Sequence, residues 1–123
     1  MDIGTTDVKL TCFTAHGNSN AMTPSHTNDQ ITILVAGDYD VTFTCSFLGS
    51  AGVWQMHLAI DDVLQPYGFH RKIGTAGDVG SASFIAPGIT LAVNEVLSVY
   101  VVAEAATDDI TVVDAALSAR LVG

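Results

Sequence analysis

The sequence predicts an all-β domain, an antiparallel β-sandwich of about eight strands. Three observations lead to this fold class. Apolar and polar residues alternate along most of the chain, which is the two-residue period of a β-strand with one face in a core. The alternating segments are short, and they are separated by Gly, Pro, Asp and Asn, which favour turns. The length of 123 residues fits one domain with its own hydrophobic core.

The first part of the chain contains one strand and a long polar segment. Residues 6–13 alternate apolar with polar side chains, and we predict a strand there. The segment 14–29 is rich in Gly, Ser and Asn and is predicted to be a long loop. Within a single domain overall, residues 1–30 are therefore expected to form an N-terminal strand and polar arm, and residues 31–123 the sandwich.

A short strand at 30–36 precedes the clearest two-faced strand, which is predicted at 39–48. Its odd positions are all apolar and comprise Tyr39, Val41, Phe43, Cys45 and Phe47. Its even positions are polar and comprise Asp40, Thr42, Thr44 and Ser46. The odd face is expected in the core, and the even face in solvent or at a polar contact between subunits.

Further strands are predicted up to the C-terminus. Four of them cover residues 53–60, 67–73, 79–86 and 96–105, with turn residues at 61–62, 65–66, 74–78, 87–88 and 107–109. The closing segment 110–122 is rich in Ala, a residue that also favours helices. We predict a strand because Ile110, Val112 and Val113 open the segment and no helix C-cap precedes the final glycine.

The composition excludes two classes of partner and favours a third. The chain has 13 acidic and 4 basic residues, a net charge of −9. Nucleic acid and anionic membrane surfaces attract basic proteins, so neither is an expected partner. Only 14% of the residues are charged, while 49% are hydrophobic. A small monomer usually shows more charge at its surface, so we expect this chain to cover part of its surface in an oligomer or against a protein partner.

The sequence contains no recognisable targeting segment and no disulfide framework. The N-terminus lacks the basic start and apolar run of a signal peptide, and no stretch reaches the roughly 20 apolar residues of a membrane helix. The two cysteines, Cys12 and Cys45, are expected to be reduced and buried. A single bridge between them is the alternative, since the sequence does not give their separation.

No pattern of catalytic or metal-binding residues is recognisable either. The sequence has four histidines, His16, His26, His57 and His70. They do not form a sequence cluster of the three or four ligands that a metal site needs. Asp61-Asp62 and Asp108-Asp109 are expected in turns, because adjacent strand residues point to opposite faces and do not converge on a substrate. Cys45 has no neighbouring base, and neither a nucleophile elbow nor a phosphate loop is present. We expect a protein without enzymatic activity, metal or cofactor; the alternative of a ligand pocket would use Tyr39, Phe43, Phe47 and Trp54.

Four segments resemble the jelly-roll domains of the TNF/C1q-like family. AGDYDVTFTCSF (36–47) resembles that family's Gly-x-Tyr-x-Val/Phe strand, and VWQMHLAIDDVLQP (53–66) resembles the strand that follows. VGSASFIAPGITLAVNEVLSVYVV (79–102) is similar to the next pair of strands. DITVVDAALSARLV (109–122) is similar to the closing strand, which in that family runs through the middle of the inner sheet.

The resemblance spans residues 31–122 and includes departures from the family pattern. Asn94 and Glu95 stand where the family has Gly and Asp, and ALSARLV replaces the closing Phe-x-Gly-Phe of C1q-type members. No collagen-like repeat, coiled coil or anchor precedes the domain in this sequence, which favours the type found among bacteriophage virion proteins. The resemblance implies a jelly roll that forms a homotrimer, with Tyr100 and Val102 expected at the three-fold axis; the alternative is that both are ordinary core residues.

The function implied by this resemblance is structural. A decoration (cement) protein of this type binds the major capsid protein on the outer surface of a phage head as a trimer and stabilises the shell, so the expected location is the virion. The polar arm 1–30 is expected to become ordered on the capsid or on a neighbouring subunit. The alternative is a receptor- or glycan-binding fibre or spike head, or a C1q/TNF-like ligand module, that binds through loops 49–52, 61–66 and 74–78.

Overall fold

Two antiparallel sheets make up the computed structural model, which describes residues 2–3, 7–17, 19–103 and 108–123. Over these residues the regular structure consists of strands without a helix, so the predicted all-β antiparallel architecture is confirmed. The strands are β1 (Asp2–Ile3), β2 (Val8–Lys9), β3 (Met22–Ser25), β4 (Gln30–Ile33), β5 (Gly37–Gly49), β6 (Gly52–Ile60), β7 (Val63–Ile73), β8 (Val79–Leu91), β9 (Val96–Val102) and β10 (Asp108–Leu121).

The chain passes between the two sheets several times. The four-stranded sheet has the order β1-β10-β5-β8, and the six-stranded sheet has the order β3-β4-β9-β6-β7 with β2 beside β9. The connections from β4 to β5, β5 to β6, β7 to β8, β8 to β9 and β9 to β10 all change sheet. The closing strand β10 lies at an inner position between β1 and β5.

The core lies between the sheets and is built around the odd face of β5. All five of its odd-numbered apolar side chains are buried, as predicted. The ring of Phe43 lies 5.4 Å from that of Phe84, and Phe47 meets Trp54 edge-on at 5.9 Å between ring centroids. These aromatic residues therefore pack against one another as core. Burial of each such side chain contributes about 1.5–3 kcal/mol.

Strand β8 differs from the prediction, which ended it at residue 86 and placed a turn at Pro87-Gly88. The strand instead continues to Leu91, and the two residues form a bulge opposite Asp40. Gly88 has a φ of 60° and its N–H donates to Asp40 Oδ1 at 2.8 Å. A proline is tolerated here because β8 is an edge strand and the bulge removes the need for a ladder hydrogen bond at this point.

The hairpin between β6 and β7 confirms one predicted turn and corrects another. Asp61 and Asp62 both have positive φ, 51° and 64°, and they connect the paired residues Ile60 and Val63. This is the backbone of a two-residue hairpin turn with left-handed residues, which Asp tolerates better than most. The turn predicted at 65–66 is wrong, because β7 starts at Val63 and carries Pro66 on the edge of its sheet.

The described part of the N-terminal segment packs on the sandwich, contrary to the expected free arm. Strand β3 lies within the predicted loop 14–29 and pairs with β4. Leu10 is fully buried and its N–H donates to the carbonyl of Val99 at 2.7 Å. The backbone N–H of Phe13 donates to Asp29 Oδ1 at 3.0 Å. Hydrophobic burial and these hydrogen bonds explain why a polar composition did not produce an unpacked segment.

The C-terminal part needs one further correction. Asp108 and Asp109 were predicted in a turn, but they open β10 and pair with β1. The strand character predicted for 110–122 is confirmed to Leu121, and the alternate side chains of Ala115, Leu117 and Ala119 pack against the core. The predicted strand residues 104–105 and turn residue 107 lie outside the described residues.

Candidate interaction surfaces

Two acidic side chains of the described residues, in the turn between β6 and β7, have structural roles. Within the described part of the chain, no group of three or more His, Cys, Asp or Glu side chains is placed to hold a metal ion. Asp61 Oδ1 accepts the N–H of Val96 at 3.0 Å. Asp62 Oδ1 accepts the hydroxyl of Tyr100 at 2.9 Å. The two carboxylates of the hairpin turn thus bind different parts of β9.

Both cysteines are free thiols in this structure. Cys45 is buried, as predicted, whereas Cys12 is only half-buried. Desolvation raises the pKa of Cys45 to about 12, and the nearby Cys12 adds to the effect. Desolvation and the charge of Asp29 raise the pKa of Cys12 to about 11. Neither thiol is therefore activated as a nucleophile near neutral pH.

The outward face of the four-stranded sheet carries short side chains, most of them with hydroxyl groups, and we call it the hydroxyl face. Its central cross-strand rows, from β10 through β5 to β8, are Asp114–Ser46–Ser81, Ala116–Thr44–Ser83 and Ser118–Thr42–Ile85. The oxygens of Thr42 and Ser118 share a hydrogen bond of 2.6 Å. The polar even face predicted for β5 is confirmed here. Short side chains in register allow a second surface to approach the sheet closely.

Three exposed aliphatic side chains accompany the hydroxyl face. Ile85 lies in one of its rows and is 55% exposed, and Val79 lies in register with Leu48 near one margin and is 60% exposed. Val113 is the extra residue of a bulge in β10 and is also exposed. The face therefore combines flatness with apolar side chains, a combination that suits contact with another protein surface.

One end of the sandwich is built from four separate parts of the chain. The loops at residues 34–36, 61–62 and 92–95 meet there with the C-terminal residues 121–123. Backbone hydrogen bonds join these parts: Asn94 to the carbonyl of Ile33, Asp61 to that of Val96, and Val122 to that of Asp38. We call this region the apolar end.

Exposed aliphatic side chains are concentrated at the apolar end. Ten large hydrophobic side chains are exposed among the described residues, and seven of them lie here: Leu34, Val35, Val63, Leu64, Val93, Leu121 and Val122. Val93 is 51% exposed, at the tip of the β8–β9 loop. Scattered single apolar side chains are normal on a protein surface, whereas a cluster at one end is typical of a binding surface.

Acidic side chains lie in and beside the loops of the apolar end. They are Asp38, Asp61, Asp62 and Glu95. Each accepts a local hydrogen bond that fixes its carboxylate, for example Glu95 Oε1 from the N–H of Ala92 at 2.6 Å. Among the four basic residues, Lys9, Arg71 and Lys72 lie on β2 and β7 away from this end, and Arg120 precedes Leu121. The apolar end therefore combines exposed aliphatic side chains with acidic side chains in and beside the same loops.

Tyr100 and Val102, expected from the resemblance at a three-fold axis, lie on β9 in the six-stranded sheet. Both are half-buried, and they are not in the same sheet as β10. Burial raises the pKa of Tyr100, and the hydrogen bond to Asp62 raises it further. The nearby Ser98 is fully buried, and its Oγ has no hydrogen-bond partner among the described residues. The position of Tyr100 and Val102 at an axis stays a prediction.

The three loops expected to form a receptor site do not lie together. The loops near 49–52 and 74–78 are in contact, since the N–H of Gly77 donates to the carbonyl of Gly49 at 3.2 Å. The 61–62 turn lies at the apolar end, at the far ends of β6 and β7. The apolar end itself was missed because its side chains come from four distant stretches. A signal was present, since Leu34, Val63 and Val93 stand beside turn residues, where polar side chains are usual.

The fold defines this protein as an all-β sandwich of two antiparallel sheets. No family model matches the chain, and no curated protein matches it. Among the described residues, no helix has the length and apolar character needed to cross a bilayer. The hydroxyl face and the apolar end are the two features from which a function follows.

Proposed function

We propose that this protein is a non-enzymatic structural component of a virus particle: a trimeric decoration protein that binds the outer surface of the capsid and stabilises the shell. The observation that carries the proposal is the apolar end. Seven exposed aliphatic side chains at one end of the sandwich are more than a free small protein needs, and one partner could bury them together.

The jelly-roll fold of the proposal is supported by the path of the chain. Five of the six connections from β4 to β10 change sheet, and the exception is the β6–β7 hairpin. Alternation between two packed sheets is the arrangement of a jelly roll, in which Greek-key connections wrap two sheets around one core. The inner position of β10 is the position that the TNF/C1q resemblance implies for the closing strand.

The partner at the apolar end is proposed to be the major capsid protein. The exposed aliphatic groups require apolar side chains on the facing surface of that protein, and the acidic side chains in the same loops require basic ones near them. Burial of a half-exposed Leu or Val contributes about 1 kcal/mol. Seven such side chains therefore provide affinity, and the repeated sites of a shell add avidity for a trimer.

The contact between copies is proposed to form through the hydroxyl face. Its short side chains allow close approach, and Ile85 and Val79 would be removed from water. Tyr100 and Val102 are a separate prediction for the same contact. Against them, the Tyr100 hydroxyl already donates to Asp62 in the same chain. The hydroxyl face belongs to the four-stranded sheet, whereas Tyr100 and Val102 belong to the six-stranded sheet. Substitutions in each sheet therefore distinguish the two possible contacts.

A reciprocal pair of variants tests the proposal. Leu34→Asp with Val93→Asp is expected to weaken binding to purified shells at least about 100-fold, because two apolar contacts are lost and two charges are buried. This variant should remain a trimer in sedimentation-velocity ultracentrifugation. Val79→Asp with Ile85→Asp should instead dissociate the trimer, so each variant serves as the other's control.

Three outcomes would contradict parts of the proposal. Sedimentation of the wild-type protein as a monomer at micromolar concentration would contradict the proposed trimer. Shell binding unaffected in Leu34→Asp with Val93→Asp would remove the capsid contact. A trimer that dissociates in Val102→Asp but stays intact in the double variant Val79→Asp with Ile85→Asp would show that the copies meet through β9 and not through the hydroxyl face. Quantitative mass spectrometry of purified particles should find the chain at a sizeable fraction of the copies of the major capsid protein.

A further inference from the structure

Two histidines from separate parts of the N-terminal segment face each other. His16 and His26 are ten residues apart in sequence, and their Nδ1 atoms lie 2.8 Å apart. The ring centroids are 4.9 Å apart and the rings are tilted by 36°. His16 is exposed and His26 is half-buried, and neither belongs to the buried core. The contact requires one Nδ1 to carry a proton and the other to present a lone pair.

The backbone around the pair holds it in place. The backbone N–H of His26 donates to His16 Nδ1 at 3.3 Å, which favours His16 as the imidazole with the free lone pair. The segment before His16 is fixed by the buried Leu10 and by the hydrogen bond from Phe13 to Asp29. The segment before His26 is fixed because β3 pairs with β4. Two imidazoles are thus brought together by elements that are themselves anchored.

The pair also faces open space. It lines a cleft of about 220 Å³ together with the apolar side chains of Phe13, Pro24 and Leu117 and the polar side chains of Ser25 and Gln30. This volume holds several water molecules beside the two nitrogens. The chain carries a net charge of −9, which favours the approach of a cation to an exposed site.

The spacing of the two nitrogens matches adjacent ligands of one metal ion. Imidazole nitrogens bind late first-row metals at about 2.0–2.1 Å, so two of them in adjacent positions lie about 2.9–3.4 Å apart. Their present separation of 2.8 Å is close to that range. For a metal to bind, the proton of the histidine that donates moves from Nδ1 to Nε2, and the two rings turn so that both Nδ1 lone pairs converge on one ion.

We propose that His16 and His26 form a binding site for a divalent late transition metal, with copper(II) bound most tightly. Imidazole ligands and the order of stability of first-row complexes place Cu²⁺ above Ni²⁺ and Zn²⁺. No third His, Cys, Asp or Glu of the described residues joins the pair, so water in the cleft completes the coordination. The bound ion would join residues 13–17 to the turn after β3. The site is independent of the proposed function.

Isothermal titration of the full chain with CuCl₂ in a non-coordinating buffer tests this site. We expect one Cu²⁺ per chain with a dissociation constant in the micromolar range, and weaker binding of Ni²⁺ and Zn²⁺. His16→Asn and His26→Asn should each weaken Cu²⁺ binding at least about tenfold, because one imidazole alone remains. Electron paramagnetic resonance of the wild-type complex should show coupling to two equivalent nitrogen nuclei.

The second histidine pair provides a matched control. His57 and His70 lie on β6 and β7 with ring centroids 6.1 Å apart, nearly perpendicular to each other. His57→Gln with His70→Gln leaves two histidines in the chain and should bind Cu²⁺ as the wild type does. Undiminished binding in His16→Asn and His26→Asn, equal loss in the control, or a one-nitrogen spectrum of the wild type would each overturn the proposal.

Discussion

The two ends of the sandwich are closed by the same interaction but present different surfaces. At the apolar end the hydroxyl of Tyr39 donates to the carbonyl of Val35 at 2.6 Å. At the opposite end Trp54 Nε1 donates to the carbonyl of Ser50 at 3.0 Å. In both cases a buried aromatic side chain fixes a loop four residues earlier in the chain.

The side chains that these loops expose differ. The loop before Tyr39 exposes Leu34 and Val35, whereas the loop before Trp54 consists of Ser50, Ala51 and Gly52. The opposite end shows that this type of loop needs no exposed aliphatic side chain to close. The aliphatic groups of the apolar end are therefore not required by the fold, which supports a role for them in contact with a partner.

The largest effect on stability is expected from the two aromatic anchors themselves. Trp54→Ala should lower the free energy of unfolding by about 3–5 kcal/mol, because it opens a cavity in the core beside Phe47 and removes a hydrogen bond. Tyr39→Phe keeps the ring and should cost about 0.5–1.5 kcal/mol. Urea denaturation measures both. Equal losses of unfolding free energy in the two variants would contradict this ranking and would mean that the Tyr39 hydrogen bond stabilises the apolar end as much as the whole Trp54 side chain stabilises the opposite end.

An intermediate effect on stability is expected from the thiols of Cys12 and Cys45, which lie in neither the loop before Tyr39 nor the loop before Trp54. The pKa of Cys45 is raised from 9.0 to about 12, so the folded state disfavours the thiolate. Stability from this group is fully present below pH 9 and decreases as the pH rises toward 12. Cys45→Ala should flatten that decrease in urea denaturation between pH 9 and 11. A Leu34→Asn variant should keep the wild-type slope, and a changed slope there would contradict the assignment.

The smallest effect on stability is expected at the apolar end. Leu34→Asn with Val93→Asn should change the free energy of unfolding by no more than about 0.5 kcal/mol, because both side chains are about half exposed. The same variant should bind less of a dye that fluoresces on apolar surfaces. A loss above about 1 kcal/mol would show that these side chains support the fold and would remove the contrast between the two ends.

The strands were predictable where alternation is strong. Residues 39–47 alternate without interruption, and the structure buries every odd side chain. Sequence alone misjudged Pro87 and Pro66, because a proline signals a turn unless its strand lies at the edge of a sheet, and the position in the sheet depends on distant pairing. Strand β3 was missed because its four residues, MTPS, have no alternation and form a strand through β4.

The candidate surfaces were less predictable than the fold. The even face of β5 was expected to be polar, but its neighbours on β8 and β10 are set by register, which the sequence does not specify. The apolar end joins residues as far apart as Leu34 and Val122. The histidine pair shows the same limitation, since a spacing of ten residues matches no metal-binding motif and the contact depends on how β3 packs.

The two prolines on β7 and β8 also have a consequence for assembly. Each of these strands ends its sheet, and in each the proline lies where the regular pairing with the neighbouring strand is interrupted. A strand added by a neighbouring chain would therefore meet an irregular edge, and open-ended growth into fibres is disfavoured at these two edges.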